Sequence, residues 1–162
     1  MSDELAELRR KFAAAHEVLN SLPEHPTSPE DLAKLGKVRR FLNGERGLAT
    51  RAAAPAVADL YYLEGLTQAE IGKLLGITAQ AVGTNLLDKR GPKEYLVVRQ
   101  TVDGPLLRRI PVEPDWGGTS YRQLRKLRDE GWRVAPAALR LNADEVDGAE
   151  LWNRLGETHT QR

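Results

Sequence analysis

The side chains of this sequence that are best placed for chemistry carry amides and hydroxyls, which recognise partners through hydrogen bonds. Gln80 and Thr84 are four residues apart, a spacing that puts two side chains on the same face of a helix. A glutamine amide can pair with N6 and N7 of adenine, and a threonine hydroxyl can bond to a base or to a phosphate. Such a pair can bond to a base or a phosphate if the helix that carries it meets a nucleic acid.

Groups that perform covalent or metal-assisted catalysis are absent from the sequence or scattered along it. There is no cysteine, and the three histidines, His16, His25 and His159, are separate, so neither thiolate chemistry nor a metal site is expected. The acidic residues are dispersed at predicted helix starts, where capping and the helix dipole account for them. No nucleophile–base pair or phosphate loop is visible. We therefore predict a protein that is not an enzyme and binds no metal or cofactor.

Two short helices joined by a tight turn are predicted over residues 66–86. Thr67 can cap the first helix, with Glu70 three residues later as in a capping box. Gly76 follows at the end of that helix, where a left-handed residue lets the chain turn without a Cβ clash. The second helix is expected to span residues 78–90, capped by Thr78 and stopped by the Gly-Pro pair that follows.

Aliphatic and small residues recur at the positions that hold two such helices together. Ile71, Leu74 and Leu75 are spaced i, i+3 and i+4, which predicts one buried face. Ile77 is expected to fill the corner between the helices, and Gly72 to allow their close crossing. The predicted scaffold residues are Ile71, Gly72, Leu75, Gly76, Ile77, Val82 and Leu86.

This pattern resembles that of helix-turn-helix DNA-binding proteins. Together with the preceding YYLEG, residues 61–65, it most resembles the promoter-reading C-terminal region of bacterial sigma factors and the regulators that share it, over about residues 54–90. The resemblance implies that the second helix enters the major groove. Residues 81–87 contain no basic side chain, unlike sigma-like recognition helices, and 162 residues leave little room for the other sigma regions. A regulator is therefore expected rather than a sigma factor.

The predicted contacts with DNA fall into two groups. The residues expected to read bases lie on the outward face of the second helix: Thr78, Ala79, Gln80, Gly83 and Thr84. Leu87 is expected to share that face. The residues expected to contact phosphate are Thr67, Lys73, Lys89, Arg90, Lys93, Arg99, Arg108 and Arg109. Because the second helix is poor in charge, other basic surfaces or a second subunit are expected to add affinity.

Residues 1–53 are predicted to form an N-terminal helical region. In its first helix, over residues 3–22, apolar side chains alternate at spacings of three and four: Leu5, Leu8, Phe12, Ala15, Leu19 and Leu22. This stripe either packs on the protein's own core or forms the seam of a dimer. A second helix is expected from Pro29, capped by Ser28, to Gly44. Pro55 is expected to break the next helical stretch, so that a third helix covers residues 56–63.

The region after the two-helix motif is predicted to begin with a β-hairpin. Residues 95–102 and 106–112 are rich in strand-forming side chains and are joined by Asp103-Gly104, a favoured hairpin turn. The hairpin is either a DNA-contacting wing or a simple covering hairpin. A helix begun by Thr119 or Ser120 and a last helix over residues 143–155, capped by Asn142, should follow. The expected fold is thus mainly α with a β-hairpin: helices in 1–53, a helix-turn-helix in 54–92, and a small α+β unit in 93–162 whose hairpin would make the motif a winged helix-turn-helix if it serves as the wing.

The composition is that of a folded protein and excludes some classes. Hydrophobic residues make up 41% of the chain, charged residues 29%, and the formal net charge is +1. No apolar segment resembles a signal peptide or a membrane span, so a cytoplasmic location without membrane contact is expected. Residues 120–140 are mainly basic and those after 142 mainly acidic, which fits one basic face toward nucleic acid or a solvated surface.

The leading hypothesis is a bacterial or phage regulator that binds double-stranded DNA sequence-specifically, as a homodimer on paired half-sites. RNA polymerase or another protein is a further candidate partner. One alternative is an accessory DNA-binding protein of plasmid or phage partition or recombination. Another, from a different class, is a protein–protein interaction module that uses the helix-turn-helix only as a scaffold. Salt-dependent binding to duplex DNA separates the first two from the last.

Overall fold

The computed structural model describes residues 3–24 and 28–159, so that His25 lies outside the described residues. The chain divides into two compact units, an N-terminal unit of residues 1–53 and a C-terminal unit of residues 54–162. Most of the described chain is helical, and a small three-stranded antiparallel sheet accompanies the helices. Across the described ranges, no helix combines the length and apolar character needed to cross a membrane.

The N-terminal unit contains helix α1, Asp3–Asn20, and the first part of helix α2, Pro29–Tyr62. Ser28 caps α2 as predicted, since its Oγ accepts a hydrogen bond from the Asp31 N–H at 3.1 Å. The rings of Phe12 and Phe41 meet edge to face with centroids 5.6 Å apart, which ties α1 to α2.

Helix α2 is continuous where two interruptions were predicted. The expected end at Gly44 and the expected break at Pro55 are both wrong, because one helix runs from Pro29 to Tyr62. A helical glycine costs only about 1 kcal/mol, and the alanines on either side of Pro55 are the strongest helix formers. Val57 and Ala58, just after the proline, are buried in the core of the C-terminal unit. The burial of Val57 and Ala58 therefore outweighs the loss of the hydrogen bond that the proline removes.

The sheet has the order β2-β1-β3 and is antiparallel throughout. Its strands are β1, Glu94–Thr101, β2, Gly104–Pro111, and the short β3, Arg133–Val134. Thr101 pairs with Gly104, so the turn is Val102-Asp103, one residue earlier than predicted. The Thr101 hydroxyl fastens this turn by donating to the Gly104 carbonyl at 2.7 Å and accepting from the Asp103 N–H at 3.3 Å. Val102 is consequently fully exposed at the tip.

Both faces of strand β1 are covered. On one face the Tyr95 ring packs edge to face against Tyr62 at the end of α2, with centroids 5.8 Å apart. On the other face Val98 packs with Leu151 and Leu155 of helix α6, Gly148–His159. The hairpin is therefore the middle layer of the C-terminal unit, and β3 extends it at the second edge of β1.

The two C-terminal helices begin at other residues than predicted. Helix α5, Gly117–Asp129, starts before Ser120, which is buried inside the helix and does not cap it. Residues 142–145 form a turn in which the Glu145 N–H bonds to the Asn142 carbonyl at 3.1 Å, so the predicted helix over 143–155 begins too early. The start of α6 is marked instead by Asp147, whose Oδ1 accepts from the Ala149 N–H at 2.9 Å.

A partly buried carboxylate that the sequence analysis did not single out joins three elements of the C-terminal unit. Asp59 of α2 accepts hydrogen bonds from the Tyr95 hydroxyl of β1 at 2.9 Å and from the Ala137 and Ala138 N–H groups at 2.7 and 3.1 Å. These alanines begin a 3₁₀ turn, Ala137–Leu139. Burial raises the pKa of Asp59 above its ordinary value, against the opposing effect of these donors. Asp59 thus fastens α2 to the sheet and to the segment that follows β3.

Candidate nucleic-acid interface

The two-helix motif begins and turns as its sequence predicted. Its first helix is α3, Gln68–Leu75, and the Thr67 Oγ1 accepts from the Glu70 N–H at 3.1 Å. Gly76 ends the helix in the left-handed region, with φ at +71°. Thr78 caps the second helix, accepting from the Ala81 N–H at 3.1 Å. Both caps and the turn glycine are therefore confirmed.

Gly72 lies where α3 passes closest to the turn. A Cβ atom on this residue would be 2.6 Å from the Ile77 carbonyl oxygen and 3.3 Å from the Thr78 carbonyl carbon. Those atoms belong to the backbone, so no side-chain rotation could make room. The Ile77 N–H also donates to the Gly72 carbonyl at 2.9 Å. The predicted close crossing is confirmed, and it requires a residue without a Cβ.

The second helix changes its winding after one turn. Helix α4, Ala79–Ala81, runs directly into a π-helical segment, Val82–Asp88, and the two together, residues 79–88, are named the α4–π helix here. Its hydrogen bonds skip five residues, as in the bond from the Lys89 N–H to the Thr84 carbonyl at 3.2 Å. Residues five apart then face nearly the same way, so Leu87 is buried together with Val82 and Leu86. The prediction that Leu87 faces outward is wrong for this reason.

Part of the predicted scaffold is exposed. Of the α3 side chains, Ile71 is buried, but Leu74 and Leu75 are 69% and 41% exposed. Ile77, expected to fill the corner, is 38% exposed. Helix α3 packs on the α4–π helix through the side that carries Ile71 and Gly72, and its last turn lies beyond that contact. The expectation of a wider buried face, including Leu75 and Ile77, is therefore wrong.

The predicted base-reading residues divide into two positions on the α4–π helix. Gln80, Gly83 and Thr84 line one cleft of about 270 Å³. Thr78 is exposed and Ala79 half-buried at the start of the helix, outside that cleft. The structure thus brings three of the five predicted residues together around one cleft.

The cleft also contains groups that were not predicted for the site. Its other walls are formed by Gln68, Asp88, Pro114 and Asp115. Gln68 approaches Gly83 so closely that a Cβ on the glycine would lie 2.8 Å from the Gln68 Oε1. Asp115 belongs to a 3₁₀ turn, Pro114–Trp116, that follows the sheet. Its position beside Thr84 has no signal in the local sequence, because 30 residues separate the two.

The predicted phosphate-contacting residues differ in whether their side chains already have partners. Lys73, Lys89, Arg90 and Arg99 are exposed. Thr67 uses its hydroxyl as a helix cap. The remaining cations have partners: Lys93, Arg108 and Arg109.

The existing contacts of those three cations weaken their capacity to bind phosphate. Arg109 bonds to the Asp144 carboxylate at 2.8 Å and lies 3.5 Å from that of Glu94, and the two acids raise the pKa of Arg109. The Arg108 guanidinium lies 5.6 Å from the centre of the Trp132 ring. Lys93 donates to the Asp88 carbonyl at 2.8 Å. A phosphate would have to compete with each of these partners.

The described residues offer no metal centre, since within them no three or more of His, Cys, Asp and Glu are grouped to hold an ion. Comparison with models of known protein families, with curated proteins and with solved structures finds no match to this chain. The function is therefore argued from the geometry of the two-helix motif alone.

Proposed function

We propose that this protein binds double-stranded DNA sequence-specifically through a helix-turn-helix in residues 54–92 and acts as a transcriptional regulator. The observation that carries the proposal is the close approach of α3 to the turn at Gly72, followed by a helix whose exposed side bears Gln80 and Thr84. In such a motif the second helix enters the major groove. The caps at Thr67 and Thr78 and the left-handed Gly76 support the same reading of the motif.

Base contacts and phosphate contacts are assigned to different side chains in this proposal. Gln80 pairs with adenine, and Thr84 bonds to a neighbouring base. Lys73, Lys89 and Arg90 position the protein on the backbone through phosphate contacts that carry no sequence information. The β-hairpin acts as a wing only through its distal end, near Arg99, because Arg108 and Arg109 are engaged elsewhere.

The direct test is selection of bound duplexes from a random pool, followed by measurement of the mass of the complex. We expect an enriched sequence and an affinity that falls steeply as salt rises, because each phosphate contact releases counterions. Failure to bind any duplex at low salt would overturn the proposal.

Replacing Gln80 with alanine should reduce the preference for one base pair of the selected site by about 1–3 kcal/mol, because the amide contact to that base is lost. Lys89→Ala is the matched control. It should weaken binding to all duplexes alike and lower the slope of log affinity against log salt by about 1. Competition binding with single-base variants of the site measures both effects. Unchanged specificity in Gln80→Ala would mean that this side chain does not contact a base.

Replacing Asp115 with asparagine should strengthen binding to all duplexes about threefold to tenfold at low salt, because a carboxylate beside Thr84 repels the approaching phosphates. The gain should shrink as salt screens the charge. Glu150→Gln on α6, across the sheet from α2, removes the same charge and should change affinity less than about twofold. Weaker binding by Asp115→Asn would show instead that this carboxylate accepts a hydrogen bond from a base.

An interaction module is the second candidate function. It is favoured by the exposed aliphatic side chains around Gly76, namely Leu74, Leu75 and Ile77, because contiguous exposed apolar surface marks protein contacts. Binding to duplex DNA separates the two proposals. An affinity that falls steeply as salt rises is expected of the DNA-binding protein and not of the interaction module.

A further inference from the structure

We infer that residues 1–53 join two copies of this chain, with α1 and the first part of α2 from each copy forming one four-helix bundle. The inference concerns the N-terminal unit by itself and does not depend on the proposed binding to DNA.

The described side chains of the N-terminal unit are barely buried. Among its described side chains α1 has no buried residue, and Val38 of α2 is the buried one. Two helices alone enclose little volume, and small units bury a low fraction of their surface and are marginally stable. Most helical stability in proteins comes from the packing of an amphipathic face against a neighbour. Apolar side chains from outside the N-terminal unit must therefore complete the core between α1 and α2.

The apolar stripe of α1 is left partly open and follows helix periodicity. Phe12 and Leu19 are 47% and 44% exposed although both belong to the stripe predicted from the sequence. Leu5, Leu8 and Ala15 of the same stripe are half-buried. Phe12 contacts Phe41 and still leaves nearly half of its surface uncovered. Spacings of three and four are those of helices that pack almost parallel in bundles.

The same two helices of a second copy have the right size to cover this face. Helix α1 has 18 residues and is therefore about 27 Å long, and two packed helices present a face about 20 Å wide. Such a face provides about 540 Å² on each copy, or about 1,100 Å² in total, which exceeds the roughly 1,000 Å² that a biological interface should bury. A two-fold axis lets the same stripe serve both partners.

Charge substitutions within the stripe test the bundle in the full-length chain. By sedimentation velocity the native protein should have a mass of twice 18.0 kDa. Phe12→Glu combined with Leu19→Glu should weaken the dimer at least about 100-fold, because both side chains would lie at the centre of the interface. Ala6→Glu combined with Ala13→Glu adds the same charges at exposed positions on the opposite side of α1 and should leave the dimer intact. A native monomer at about 100 μM, a larger assembly, or a dimer that survives the Phe12 and Leu19 changes would overturn the inference.

A second measurement leaves the stripe unaltered and so does not depend on the folding of the charged variant. The chain contains no cysteine, so Ala13→Cys introduces a single thiol for a spin label on the outer side of α1. In a four-helix bundle the labels of the two copies lie within about 45 Å of each other. Dipolar coupling in that range is expected, and its absence from the otherwise native chain would contradict the bundle.

Discussion

Replacing Gly72 with valine is expected to lower the free energy of unfolding of the C-terminal unit by about 3 kcal/mol or more. Any Cβ at this position would lie 2.6 Å from the Ile77 carbonyl oxygen, and the two γ-methyl groups of valine add further contacts. Overpacking in a well-packed site commonly costs about 1–3 kcal/mol of stability. The Ile77 carbonyl oxygen belongs to the backbone of the turn between the two helices, so it cannot move away without breaking that turn. Urea unfolding followed by far-ultraviolet circular dichroism measures the loss.

Alanine substitutions supply the matched comparison. Gly72→Ala should cost about 2 kcal/mol. Gly118→Ala in α5, where a Cβ would meet nothing within 4 Å, should be neutral or stabilise by up to about 1 kcal/mol, because alanine is the better helix former. Equal effects of the two alanines would show that α3 does not pass as close to the turn as the structure places it.

Replacing Asp59 with alanine is expected to destabilise the C-terminal unit by about 3 kcal/mol. Three donors would lose their acceptor together, the Tyr95 hydroxyl and the N–H groups of Ala137 and Ala138. A donor left without a partner in a buried site costs about 1–3 kcal/mol, although the exposed Ala138 can recover a bond with water. Urea unfolding followed by tryptophan fluorescence measures this change, since Trp132 is buried.

Two tyrosines near Asp59 provide the controls. Tyr95→Phe removes one hydrogen bond to the carboxylate and should cost about 1–2 kcal/mol. Tyr62→Phe removes a buried hydroxyl that has no hydrogen-bond partner among the described residues, so it should be neutral or slightly stabilising. A large loss in Tyr62→Phe together with no loss in Tyr95→Phe would contradict the assigned hydrogen bonds.

The pH dependence of Asp59→Asn tests the buried carboxylate separately. Because burial raises the pKa of Asp59 above 3.8, the folded protein holds the proton more tightly than the unfolded chain. The stabilising contribution of this titration is therefore complete below about pH 3.8 and is lost as pH rises through the higher folded pKa. Asparagine does not titrate, so the free energy of unfolding of the native protein should exceed that of Asp59→Asn by a margin that narrows as pH rises above about 3.8. A margin that widens with pH would show that the donors outweigh burial.

The parts of the fold that sequence predicted correctly depend on near neighbours in the chain. Thr67 and Thr78 each cap a helix through an N–H only three residues away, and Gly76 turns the chain through its own backbone freedom. Ser28 at the start of α2 is of the same kind. Helix caps and turn glycines can be predicted from the sequence because all the atoms concerned lie within one turn of helix.

The parts that sequence did not predict depend on residues far apart or on competition between packing and propensity. Asp115 lines the cleft although it lies after the β-hairpin in the chain. Asp144 accepts a hydrogen bond from Arg109, which lies 35 positions earlier. Leu87 is buried because the segment winds as a π-helix, and an α-periodic pattern could not show this. Pro55 is carried inside a long helix because the surrounding packing outweighs a local preference. The two helices of the candidate site could therefore be predicted from the sequence, whereas the residues that close the cleft from outside the motif, Pro114 and Asp115, could not.

The span between Asp59 and the alanines that it holds has a consequence for synthesis of the chain. Asp59 precedes Ala137 by 78 residues. At about 5–20 residues per second, a ribosome needs about 4–16 s to add that stretch. Once Asp88 has been added, the nascent chain includes both helices of the two-helix motif, while the Asp59 carboxylate of α2 still lacks its backbone donors. The hydrogen bonds that fasten α2 to the segment after β3 can therefore form only late in translation, when that segment has left the ribosome.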